Sequence, residues 1–87
     1  MNDYDAMVIQ TFLEKQLQLF PEIVAETPEE AEEFLDICMA SVCRNIKEVR
    51  ECFDEYGADV SGMKKADLEA AEEVFRLPDG RYLVVLA

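Results

Sequence analysis

Three cysteines and a run of carboxylates are the side chains of this sequence with chemistry to offer, and histidine is absent. Without imidazole the chain lacks the commonest general base, metal ligand and near-neutral pH switch. Ser41 and Ser61 are the only serines, neither in a nucleophile-elbow setting, and the three glycines compose no phosphate-cradling loop. Cys38, Cys43 and Cys52 invite thiol or metal chemistry. If all three stand on one helix, Cys38 and Cys43 lie about 140° apart around its axis and Cys43 and Cys52 lie nearly opposite, so the thiols converge on no common ion. Cys38 and Cys52 are then expected in an apolar stripe as small hydrophobes. Cys43, beside Arg44, is the candidate exposed thiol, because a neighbouring cation favours thiolate. An odd cysteine count without paired spacing fits reduced thiols in a reducing compartment.

The carboxylates Glu26, Glu29, Glu30, Glu32, Glu33 and Asp36 could supply oxygen ligands to a hard cation. No loop carries the spaced acids and glycine of a calcium hand, and negative charge at a helix N-terminus already interacts favourably with the helix dipole. No catalytic, cofactor-binding or metal-binding residue is assigned, no cofactor is expected, and an enzyme is the less expected reading. The whole chain carries 20 Asp and Glu against 8 Lys and Arg, a formal charge of −12. Direct contact with nucleic acid or an anionic membrane is therefore not expected, since both reward basic side chains. Solubility, a basic protein partner, or mimicry of nucleic acid toward a basic protein accounts better for the charge. The N-terminal residues show no secretory pattern, and the apolar run at 82–87 is far short of the roughly 20 residues that span a bilayer, so a cytoplasmic location is expected.

The elements that position these residues follow from periodicity. A first helix is expected over 3–19, capped by Asn2 or Asp3, with Tyr4, Val8, Ile9, Phe12, Leu13 and Phe20 on a broad apolar face and Pro21 as its stop. Residues 21–26 are expected to form a helical turn that folds Ile23 and Val24 over the core. Thr27, Pro28 and Glu30 spell a capping box with proline at the first helical position. From there the stripe Ala31, Phe34, Leu35, Cys38, Met39, Val42, Ile46, Val49, Cys52, Phe53 and Tyr56 predicts one long helix over 28–56, ended by Gly57, with Ile37 pointing away. A short helix over 64–73 and a hairpin over 74–86 turning at Pro78, Asp79 and Gly80 complete the chain. The expected fold is α+β: one domain over 1–87, three helices with a long central one, then a C-terminal β-hairpin.

Two features of this outline point to association. A helix over 28–56 would extend about 43 Å, while a compact chain of this length has a radius of gyration of about 12 Å. The last strand is apolar on both faces, with Leu83 and Val85 on one and Tyr82, Val84 and Leu86 on the other. The expected function is a non-enzymatic cytoplasmic interaction module, associating as a homodimer or with another protein. Its candidate contacts are Val42, Ile46, Val49 and Phe53 on the helix and Tyr82, Val84 and Leu86 on the strand. Alternatives are an acidic inhibitor that mimics nucleic acid, and a small thiol-dependent enzyme or redox sensor built on Cys43.

The segments TPEEAEEF, CRNIKEVRECFDEYGADVSGM and LPDGRYLVV together resemble a group of short, uncharacterised, acidic bacterial proteins. The resemblance extends over most of the chain and implies no catalytic motif. A glyoxalase label attached to some of that group does not transfer, because glyoxalase metal sites commonly contain His and Glu in a repeated, strand-rich fold.

Overall fold

The computed structural model describes residues 4–86. Helix α1 spans Ala6–Lys15 and tightens into a 3-10 turn over Gln16–Gln18. Its cap is Asp5, whose carboxylate accepts from the Val8 amide at 3.0 Å; the expected caps Asn2 and Asp3 lie outside the described residues. Proline at 21 ends this helix as expected, but residues 21–26 form bends rather than a helical turn. Helix α2, Pro28–Ile37, begins at Thr27, whose hydroxyl accepts from the Glu30 amide at 3.2 Å. The Glu30 carboxylate reaches one residue further back than a standard capping box and accepts from the Glu26 amide at 2.9 Å.

The expected helix over 28–56 is two helices with a strand between them. Helix α2 stops at Ile37, strand β1 covers Ser41–Cys43, and helix α3 runs Ile46–Tyr56. The break needs neither proline nor glycine. Met39 takes the left-handed conformation, φ 56°, and its amide donates to the Asp36 carbonyl at 3.1 Å while the Ala40 amide donates to the Leu35 carbonyl at 2.9 Å. These are the two bonds of a Schellman stop. Helix α3 then restarts at its own cap: Asn45 Oδ1 accepts from the Glu48 amide at 3.0 Å, and Glu48 accepts from the Arg44 amide at 2.8 Å. The sequence N-I-K-E carried that signal inside the apparent stripe. Gly57, φ 101°, ends α3 as expected.

Helix α4 is shorter than expected, Lys65–Glu69. Strands β2, Val74–Arg76, and β3, Tyr82–Val84, form the expected hairpin. Gly80, φ 93°, donates its amide to Leu77 O at 3.1 Å, and Leu77 N donates to Arg81 O at 2.9 Å, closing a type I turn with a glycine bulge. The architecture is α+β, and β3 lies in the middle of a three-stranded antiparallel sheet ordered β1-β3-β2. Both faces of β3 are covered from within the chain. On one side Leu83, Val85 and Phe75 pack with Val8, Phe12, Ala31 and Leu35 of α1 and α2. On the other, Tyr82, Val84 and Val74 pack with Val49, Phe53 and Leu68 of α3 and α4. The result is a helix–sheet–helix sandwich 37 × 25 × 22 Å, with a radius of gyration of 12.3 Å. Splitting the rod removes the length mismatch, and the two-faced strand is apolar on both sides because it sits between two helical layers.

Side chains occupy both outer edges of the sheet. Gln18 Nε2 donates to the carbonyls of Glu72 and Val74, both at 2.9 Å, along the free side of β2. Beside β1, the Ala40 carbonyl receives the Tyr4 hydroxyl and the Arg44 amide is held by Glu48. A strand added to either edge would have to displace these groups. Arg50 donates to the Val60 carbonyl at 2.7 Å and the Met63 carbonyl at 2.8 Å, closing the loop after α3.

Candidate docking groove

The residues that the stripe and the terminal strand nominated for contact are mostly consumed by the fold. Val49, Phe53, Tyr82 and Val84 are buried in the layer between the sheet and α3. Ile46 and Leu86 are half-buried against that layer, and Val42 is half-buried against the opposite one. The four buried residues meet because α3 and one face of the sheet enclose a single core, which is the physical reason that the expectation of an exposed contact face does not hold for them.

Cys43 is a second correction. It is 4% exposed on β1, and Arg44, whose charge was expected to favour thiolate, turns its guanidinium to Glu48 with bonds of 3.0 and 2.8 Å. Burial pushes the Cys43 thiol up to about 12, and Cys52 and Glu48 add to the shift. On one continuous helix Cys43 and Cys52 would lie nearly opposite; with β1 between the helices, Cys52 packs against the cluster that contains Cys43. All three cysteines are free thiols, and burial also raises Cys38. Because the folded state holds the Cys43 proton above its ordinary value of 9.0, it contributes stability that is complete below pH 9 and declines as pH rises toward 12. Stability of Cys43→Ala against pH is therefore expected to be flatter than that of the parent above pH 9 in denaturant titrations; parallel curves would refute the assignment. Among the described residues no group of three or more Cys, Asp or Glu is arranged to hold a metal ion, and no helix is long and apolar enough to cross a membrane.

The apolar surface that remains open lies elsewhere. Ile23 and Val24, expected over the core, face solvent with Ile23 58% exposed, while their neighbour Ala25 is the residue that goes inside. Gln16 arranges this. Its buried side-chain carbonyl accepts from the amides of Val24 at 2.7 Å and Ala25 at 3.0 Å, and its Nε2 donates to the carbonyls of Ala25 at 2.9 Å and Leu13 at 3.1 Å. Every polar group of one glutamine is spent on holding residues 24–25 to the end of α1, so the local backbone is fixed by hydrogen bonds instead of by burying Ile23.

Across from this segment stands α2, and between them runs a groove of about 620 Å³ lined by Ile23, Val24, Phe34 and Ile37 with Glu26, Glu30 and Glu33. Its aromatic wall is stiff: Phe34 stacks on Phe12 at 5.7 Å and meets Phe20 edge-on at 5.3 Å. Ile37, the residue that the periodicity left outside the stripe, is 72% exposed. Each charged residue lining the groove is a glutamate. Sequence reasoning found Ile37 but missed Ile23 and Val24, because only the buried Gln16 side chain decides which way residues 23–25 turn. Comparison with protein-family models, with curated proteins and with solved structures returns no significant match.

Proposed function

We propose that this chain is a non-enzymatic, cytoplasmic protein-interaction module that receives a cationic amphipathic segment of another protein in the groove between residues 21–26 and α2. The observation that carries this reading is the pairing of exposed Ile23, Val24 and Ile37 with a rim charged only by Glu26, Glu30 and Glu33, on a chain of net charge −12. Apolar anchors supply affinity, and the acidic rim selects for Lys and Arg and against other acids. A second copy of this chain is a poor occupant, since a two-fold interface brings like surfaces together and would set two strongly acidic surfaces against each other. The same charge disfavours anionic lipid and nucleic acid. Three free thiols suit a reducing compartment.

The test uses two labelled helical peptides of about 18 residues, one of Leu and Lys with leucines at helical spacing, the other with each Leu replaced by Ser. The Leu/Lys peptide is expected to bind at near-physiological salt, to shift backbone amide resonances around residues 23–37, and to lose about tenfold in affinity with the double variant Ile23→Ser, Ile37→Ser. Equal binding of both peptides with shifts spread over all acidic segments would overturn the reading in favour of unspecific charge attraction. A dimer by light scattering that dissociates in the same double variant would overturn it in favour of a second copy.

A further inference from the structure

Two helices of this chain end in the same hydrogen-bonded turn, and only one of them ends in glycine. At the end of α3, Gly57 takes the left-handed position at φ 101°, with Gly57 N donating to Asp54 O at 3.1 Å and Ala58 N to Phe53 O at 3.0 Å. At the end of α2 the matching bonds form around Met39 at φ 56°. A Cβ in this region crowds its own carbonyl, which is why glycine dominates the position. Met39 is the only non-glycine residue with positive φ among those described. The backbone cannot relax out of it: Ala40 N is bonded to Leu35 O, the Tyr4 hydroxyl bonds at Ala40 O, and β1 starts at Ser41.

The fold gains nothing visible from the methionine side chain in return. Met39 is 84% exposed, the most open large hydrophobic side chain among the described residues, and belongs to neither core. It stands two residues beyond Ile37, the groove residue at the last position of α2, so the two exposed apolar side chains follow each other at the same end of the helix. A flexible, polarizable thioether suits a contact that must adapt to the side chains of a partner. We propose that Met39 is a contact residue of the docking surface, extending the groove past the end of α2 and gripping the apolar side of the cationic segment. Its left-handed backbone is then a strain retained for binding. This inference rests on the docking function proposed above.

The test compares Met39→Gly and Met39→Leu in thermal melts and in titrations with the Leu/Lys peptide. Met39→Gly is expected to melt about 5 °C higher, through relief of the left-handed Cβ, and to bind the peptide about threefold to tenfold more weakly. Met39→Leu keeps the apolar volume and is expected to melt within about 2 °C of the parent and bind within about twofold. A stabilised Met39→Gly with unchanged affinity would show that Met39 is strained for no contact and overturn the inference. No rise in melting temperature would overturn it equally, by removing the strain. Failure of the groove itself reads differently: Ile23→Ser, Ile37→Ser would then leave affinity unchanged while Met39→Gly still lowers it.

Discussion

Phe12→Ala is expected to lower the unfolding free energy by about 3–5 kcal/mol, the range for emptying a fully buried aromatic site. Phe12 has no exposed surface and is the hub of four aromatic rings: it stacks on Phe34 at 5.7 Å, meets Phe75 tilted at 5.6 Å, and meets Phe20 edge-on at 6.4 Å. Those contacts join α1 to α2, to β2 and to the turn before Pro21, so no single neighbour can collapse into the vacancy without breaking with the others. A chain of 87 residues has a total stability of about 4–13 kcal/mol, so the loss is comparable to the lower end of the whole. Denaturant titration should show the midpoint falling sharply. Phe12→Leu, which keeps most of the volume, is expected to cost about 1–2 kcal/mol. If alanine costs less than leucine is expected to, the aromatic cluster is not the keystone of this layer. The functional consequence follows from Phe34, which is both Phe12's stacking partner and a wall of the groove: Phe12→Leu should weaken peptide binding while leaving the sheet intact.

Gln16→Leu is expected to cost about 2–4 kcal/mol, although leucine is close in volume and more apolar. The substitution adds hydrophobic surface at a buried position and removes four hydrogen bonds to backbone groups around residues 13, 24 and 25. Ala25 is buried, so its amide and carbonyl would be left without partners, at about 1–3 kcal/mol for each orphaned group. Val24 is open enough for water to replace part of the loss. Stability should fall, and hydrogen exchange should report the Val24 and Ala25 amides opening far faster than the core of the sheet. Retained protection at these two amides would mean that the segment is held by something other than Gln16. Because this segment carries one wall of the groove, Gln16→Leu should also weaken the Leu/Lys peptide more than a surface substitution of equal thermal cost.

The start of α2, the hairpin turn and the apolar character of both faces of the last strand were legible in the residues, whereas a partner was expected to complete the cover of those faces and the chain itself supplies it. Each depends on a few neighbours: Thr27 with Pro28 and Glu30, Pro78 with Asp79 and Gly80, and the alternation of Tyr82 to Val85. Local chemistry of this kind has one low-energy solution, which the packed chain retains. The charge and the absence of histidine likewise bound the chemistry whatever the fold. Tertiary structure decided the rest, and the clearest instance is the segment from Cys38 to Asn45. Its apolar residues keep helical phase with those on either side, so periodicity cannot distinguish a rod from a helix, a strand and a second helix facing shared cores. The hydrogen bonds that choose between them are non-local: β1 has only three residues, too few to show a period, and exists because β3 offers it an edge. That pairing buries Cys43 and brings Cys52 to its cluster. The buried side chain of Gln16 similarly turns Ala25 inward and leaves Ile23 in the groove. A sequence declares which side chains water disfavours; which of them find cover depends on what distant parts of the chain bring to meet them.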